Sequence, residues 1–219
     1  MKVATWNIRH GRPRRGFTSN TRLAHGVAAL DADVVAVQEV ERRVIRSWFA
    51  DQSALIARSM SAASHQFLPA RRLALIGGDG IALCVRGPAT FDAWELPHER
   101  GQRRVALVAR IDDVAIVTTH LQNEASQARR QLEWLLERMT SLPESRVLLG
   151  DLNLRPDDVA PLFAAAGFTS AGGGPTNPAD APVQQIDHIA FAGFAVAAVR
   201  VADAPVSDHR PLIATLTRR

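Results

Sequence analysis

The stretch Arg146–Leu154, RVLLGDLNL, sets an apolar run directly against two polar side chains. Val147, Leu148 and Leu149 lack the alternation of a half-exposed strand, so they read as a strand covered on both faces. Asp151 and Asn153 follow at the mouth of that core, where desolvation is costly unless a partner or solvent compensates. The same ending recurs along the chain. VATWN stops at Asn7, DVVAVQE at Glu39 and VAIVTTH at His120; QQIDHIAF puts Asp187 where a strand begins, and PVSDHRPL puts Asp208 and His209 just before the last strand. Open α/β sheets bind ligands beyond the ends of their strands, so these groups are expected to meet.

Around that run the hydrophobic period switches between strand and helix. Strands are expected over 2–7, 33–38, 66–73, 81–86, 91–96, 105–111, 114–119, 147–149, 186–191, 194–201 and 212–217. Helices are expected over 20–30, with Ser19 or Asn20 as cap, over 48–60, over 124–139 and near 158–166. Asp112-Asp113 reads as a hairpin turn. The Gly-, Pro- and Ala-rich segment 170–184 reads as a loop, and strand signals resume directly after it, which argues against a domain boundary. One domain over 1–219 is expected: two packed mixed sheets with helices outside, an α/β sandwich.

Composition bounds the function. With 47% hydrophobic residues in 219, the chain can bury a sizeable core. Apolar runs such as Val34–Val37 are far too short to cross a bilayer. Met1-Lys2 leads straight into a strand-like VATW with no signal-peptide hydrophobic region. The single cysteine, Cys84, excludes an intrachain disulfide framework and a multi-cysteine zinc site, so a cytoplasmic, reducing compartment is the simplest reading. The formal charge is +4, and Lys2 is the only lysine, so the positive charge is nearly all arginine. Guanidinium groups suit phosphate oxygens, although an Ala- and Arg-rich composition also follows from GC-rich codons.

Each polar group has a plain structural reading: an Asn after a strand is usually a turn, and a lone His is usually a satisfied side chain. Together they form a coherent chemistry. Glu39 and nearby Asn7 offer hard oxygen donors of the kind Mg2+ or Mn2+ prefers. His120 and His209 can bind or protonate phosphate oxygens, Asp151 can take a proton from water, and Asn153 can hold that water or a phosphoryl oxygen. No Cys/His cluster, GxxxxGK[ST] loop or GxSxG elbow is present. Metal-assisted hydrolysis of a phosphate ester fits best.

The ordered series TWNIRHG, DVVAVQEV, GDGIALCVR, VTTHL, LLGDLNLRP, IDHIAF and SDHRPL resembles the endonuclease/exonuclease/phosphatase superfamily over essentially the whole chain. The resemblance implies a four-layer α/β sandwich with its site at one end of the sheets. It also implies roles: Asp151 orients or deprotonates the attacking water, Asn153 positions phosphate, and Glu39 binds metal with Asn7 close by. His209 lies near the scissile phosphate, Asp187 orients it, and Asp208 is a second acid in the metal and phosphate shell. His120 stands where apurinic endonucleases carry tyrosine, which aligns the chain with the two-histidine branch of deoxyribonuclease I and the sphingomyelinases. Relatives of that branch pair this histidine with an acid, for which Asp79 is the candidate, although a GDG turn is its simpler role. Arg9 stands where some relatives carry a metal-binding Asp.

RHGRPRRGF places Arg9, Arg12, Arg14 and Arg15 in one loop after Asn7, and Arg103 and Arg104 enter a later strand. Such a rim could neutralise several phosphates, which favours nucleic acid as the partner. Few aromatic residues lie outside core-like positions, so base-stacking platforms are not evident, and neither is an apolar membrane-docking loop. The leading expectation is a Mg2+-dependent endonuclease that spans no membrane and needs no obligate protein partner. A phosphomonoesterase or a lipid or small-molecule phosphodiesterase would use the same residues. A non-catalytic nucleic-acid-binding protein is the alternative of another class; a full complement of catalytic residues argues against it.

Overall fold

Val147 and Leu149 point into one apolar layer and Leu148 into another, so the strand they form is buried on both sides. The computed structural model describes residues 1–73 and 77–219. In chain order it runs β1 (Lys2–Asn7), α1 (Asn20–Leu30), β2 (Val34–Arg42), α2 (Gln52–Ser59), β3 (Ser64–Leu73), β4 (Gly77–Val85), β5 (Thr90–Glu95), β6 (Val105–Ile111) and β7 (Val114–His120). There follow α3 (Ala125–Met139), β8 (Arg146–Asp151), α4 (Pro156–Ala165), β9 (Thr169–Ser170), β10 (Asp187–Ala192), β11 (Phe194–Val201) and β12 (Leu212–Arg218).

The strands form two six-stranded sheets, ordered β11-β12-β1-β2-β4-β3 and β5-β6-β7-β8-β10-β9. Each sheet has one parallel pair at its centre, β1 with β2 and β7 with β8. Parallel pairing demands a crossover, which α1 and α3 supply. Val3, Ala36, Leu83, Leu107, Ile116, Val147, Leu149 and Leu212 fill the layer between the sheets. Trp6, Val35 and Val37 pack outward against Leu23 and Val27 of α1 and Ile56 of α2. Leu148 and Val117 pack outward against Leu132 and Leu135 of α3 and Phe163 of α4. Three apolar seams thus join four layers, and each large side chain so buried contributes roughly 1.5–3 kcal/mol. No helix among the described residues is long and apolar enough to cross a membrane.

Local chemistry explains the departures from expectation. The strand expected to end at Gln38 continues to Arg42 across a bulge between Gln38 and Val40, where Glu39 adopts φ 54°. That bulge re-aims the Glu39 side chain without ending the strand. The GDG segment is strand, not turn: β4 begins at Gly77, and a Cβ on Gly80 would lie 2.0 Å from the Leu68 carbonyl of β3. The helix expected over 48–60 begins only at Gln52, because the Asp51 side chain accepts from the Ala54 N–H and caps it there. Trp48 and Phe49 lie outside it, in a turn. Pro156 opens α4, two residues before the expected start.

Candidate active site

The C-terminal ends of the four parallel strands meet where the two sheets face each other. Asn7 ends β1, His120 ends β7 and Asp151 ends β8, while Glu39 stands at the β2 bulge. The register sets His120 beside Asp151 on one side and Asp187 beside it on the other. Asn7 ties the sheets together: its Nδ2 donates to Glu39 Oε1 at 3.0 Å and to Asp151 Oδ2 at 2.9 Å. The same Asp151 oxygen lies 3.6 Å from His120 Nε2 and 3.9 Å from His209 Nε2. Asn153, at φ 51°, donates its backbone N–H to Asp151 Oδ1 at 3.1 Å and its Nδ2 to the Leu121 carbonyl at 3.0 Å.

His209 is held from every side. Its Nδ1 donates to Asp187 Oδ2 at 2.8 Å, and Thr176 Oγ1 donates to the same oxygen at 2.5 Å. The His209 carbonyl accepts from Trp6 Nε1 at 2.8 Å, and its N–H donates to Ser207 Oγ at 3.2 Å. Ser207 Oγ in turn donates to the Asn7 carbonyl at 2.7 Å, so the loop before β12 is tied to the end of β1.

The two histidines are shifted in opposite directions. Burial alone would lower the His209 pKa, but the charge and hydrogen bond of Asp187, helped by Asp151 and Asp208, push it up to about 10. His120 is pulled down to about 3 by burial, which outweighs the attraction of Asp151, while Arg104 and His209 add their repulsion. At neutral pH these shifts leave the His209 ring an imidazolium and the His120 ring a neutral imidazole. Glu39 is shifted upward, chiefly by burial, with Asp151 and Asp208 adding repulsion against the relief given by Asn7. This crowding of hard oxygen donors fits a divalent cation such as Mg2+ or Mn2+. Asp151, Asp187 and His209 also lie within ligand distance of one another. A protonated His209 has no lone pair to offer, however, so Glu39, Asn7 and Asp208 are the better donor set.

A cleft of about 210 Å³ opens on Glu39 and His120 and is lined by Arg46, Arg71, Asp79 and Arg104. Arg104 is buried; its Nη2 donates to Asn123 Oδ1 at 3.2 Å, and its Nε has no partner. The other expected arginines divide. Arg9 pairs with Asp208 at 3.3 Å, but Arg103 is turned to Glu95 at 2.8 Å. Arg12 donates to the Gly16 carbonyl at 3.2 Å, Arg14 pairs with Asp180 at 3.3 Å, and Arg14 and Arg15 line a separate recess. The expected pairing of Asp79 with His120 is corrected: Arg71 at 3.0 Å and Gln102 at 3.3 Å hold that carboxylate instead. Arg46, Arg71 and Gln102 were not singled out by sequence, because nothing local distinguishes them from solvated residues. Thr176, in the segment read from sequence only as a loop, reaches Asp187 through the fold.

A model of the Endonuclease/Exonuclease/phosphatase family matches residues 4–209. The chain belongs to this family. Members of the endonuclease/exonuclease/phosphatase family are in general phosphoester hydrolases that use a divalent metal. The fold is shared with an endonuclease/exonuclease/phosphatase from Beutenbergia cavernae, 22% identical with a TM-score of 0.83, over 99% of this chain and 71% of that one. It is shared with a mannosyl-6-phosphatase of Bacteroides thetaiotaomicron, 15% identical with a TM-score of 0.75, over 99% of both chains. It is shared also with D. rerio TDP2 complexed with a single-strand DNA product, 16% identical with a TM-score of 0.71, over 99% and 98% of the two chains. No curated protein matches the sequence.

Proposed function

We propose that this chain is a metal-dependent phosphodiester hydrolase that attacks phosphorus with water, and that its substrate is a nucleic acid. The observation that carries the reading is a single carboxylate, Asp151, set between one neutral and one protonated histidine. In this reading Asp151 takes the proton of the attacking water, and Asn153 holds that water or a phosphoryl oxygen. His209, kept protonated by Asp187, donates to the phosphate and balances the charge that develops there. His120 offers a neutral N–H to a second phosphoryl oxygen. Arg104 adds a fixed positive charge with an uncommitted Nε. Glu39, Asn7 and Asp208 would hold Mg2+ or Mn2+, which when bound orients and neutralises the phosphate.

The nucleic-acid assignment rests on Arg104 together with Arg46 and Arg71, which line the cleft while sharing Asp79, rather than on Arg14 and Arg15, which line a separate recess, or Arg12, which donates to the Gly16 carbonyl. A neighbour of this fold with a DNA product supports it, and a sugar-phosphatase neighbour supports the common chemistry. The test is a hydrolysis panel with Mg2+ or EDTA over supercoiled plasmid, RNA, bis-p-nitrophenyl phosphate and p-nitrophenyl phosphate. Plasmid nicking that EDTA and Asp151→Asn both abolish is the expected result. Cleavage confined to the small esters would overturn the nucleic-acid assignment, and no Asp151-dependent turnover of any ester would overturn the hydrolase.

A further inference from the structure

The two loops that flank the cleft correct the sequence expectation that no apolar docking loop is present, because they turn four large apolar side chains to solvent. Phe17 is 86% exposed, Trp48 76%, Ile45 73% and Phe49 61%, four of the seven large apolar side chains most open to solvent among the described residues. They belong to two segments that fix each other: Asn20 Nδ2 donates to the Ser47 carbonyl at 3.0 Å, and Gln52 Nε2 donates to the His10 carbonyl at 2.9 Å and to Asn20 Oδ1 at 3.0 Å. The tip at 44–50 is closed by its own hydrogen bonds. Trp48 N–H donates to the Ile45 carbonyl at 2.9 Å, Phe49 N–H to the Val44 carbonyl at 2.9 Å, and Ser47 Oγ to the same Val44 carbonyl at 3.0 Å. Trp48 and Phe49 both lie in the left-handed region, at φ 59° and 56°, an unfavourable conformation for large side chains. The chain is thus strained to turn two aromatic rings outward, where its own packing gains nothing from them.

Charge surrounds these side chains. Residues 9–22 and 42–49 carry eight arginines and no acidic residue; Arg9, Arg14, Arg42 and Arg46 pair with Asp208, Asp180, Asp51 and Glu41, and among the described residues Arg12, Arg15, Arg22 and Arg43 have no carboxylate partner. Arg46 runs from the same tip into the cleft, so the apolar tip borders its mouth. Large aromatic and aliphatic side chains on a hydrogen-bonded tip among cations have the chemistry of an interface with anionic lipid. Base stacking fits less well, since Ile45 belongs to the same face and has no π-face.

We propose that the face formed by Phe17, Ile45, Trp48 and Phe49 docks peripherally on an anionic lipid bilayer and sets the cleft mouth beside it. The proposal goes beyond the hydrolase reading and holds whichever phosphodiester is cut. The test is cosedimentation of the full chain with phosphatidylcholine vesicles with and without phosphatidylserine, beside the double variant Trp48→Ala, Phe49→Ala. Both side chains are exposed and neither lines the cleft, and a thermal melt unchanged in the variant serves as the control for folding. Binding to the serine-containing vesicles, weakened by salt and weakened at least about tenfold in the variant, is the expected result. Absent binding at low salt, or binding equal in the variant, overturns the proposal. So does loss of oligonucleotide affinity in the variant without vesicle binding by the wild type, which would make the rings a stacking platform. Loss of a concentration-dependent dimer on the same terms would make the face a contact between copies.

Discussion

Asp187→Asn would remove the charge that keeps His209 protonated while retaining a side chain of the same shape. Asp187 is fully buried, and His209 Nδ1 lies 2.8 Å from its Oδ2. The folded His209 pKa of about 10 stands against an unperturbed value of 6.5. A raised folded pKa contributes stability that is complete below the unfolded value and is lost as pH rises through about 10. At pH 7 the remaining interval amounts to about 4 kcal/mol, within the roughly 3–5 kcal/mol that breaking a buried pair costs. Asparagine can still accept from a neutral ring, so a loss of about 3 kcal/mol is expected, with Tm lower by about 10 °C. Urea denaturation of both proteins at pH 7 and near pH 10.5 measures it. The chain has no tyrosine and a single lysine, and its one thiol, Cys84, pushed by burial up to about 12, ionises first in the unfolded chain and so weakens both proteins alike near pH 10.5, cancelling from their difference. The difference between the two proteins should shrink markedly at the higher pH. Equal destabilisation at both pH values, or less than about 1 kcal/mol at pH 7, would refute the ion pair.

Glu39→Gln should weaken Mn2+ binding at least about tenfold by titration calorimetry, and unchanged affinity would place the cation elsewhere. Acidification should destabilise the fold, because burial lowers the pKa of His10 to about 4, of His120 to about 3 and of His188 also. The unfolded chain takes up protons at these sites first as pH falls below about 6.5, so a urea midpoint unchanged between pH 7 and pH 5 would contradict their burial as neutral rings. Gly150→Ala would place a Cβ 2.1 Å from the Thr119 carbonyl, between β7 and β8. It should cost several kcal/mol or prevent folding, whereas Gly87→Ala, with nothing within 4 Å, should stay within about 0.5 kcal/mol in the same thermal melts.

The legible parts of the fold were those written in local pattern. Val147–Leu149 and Val114–Thr119 are unbroken apolar runs, and polar residues placed directly after such runs marked Asn7, His120 and Asp151 as neighbours before any geometry was known. Side-chain partnerships were not legible, because they are settled by elements distant in sequence. Whether Asp79 meets His120 or Arg71 depends on how β3 and the 102–104 segment close over it. Arg14 turns to Asp180 rather than the cleft for the same reason. Trp48 and Phe49 misled in another way. Apolar residues ahead of a helical pattern are naturally counted into it, yet the Asp51 cap halts the helix after them and leaves both rings in water.

The pairing of the last strand with the first has a consequence for how the candidate site comes into being. β1 lies between β2 and β12, and the Met1 amino group donates to the Leu216 carbonyl at 2.9 Å. His209 enters just ahead of β12 and reaches its place only as that strand docks against a partner made some two hundred residues earlier. A growing chain can bring Asn7, Glu39, His120 and Asp151 together, yet Asp208 and His209 join them only once β12 has been made. The histidine that lies between Asp151 and Asp187 thus takes its place as the first sheet is closed.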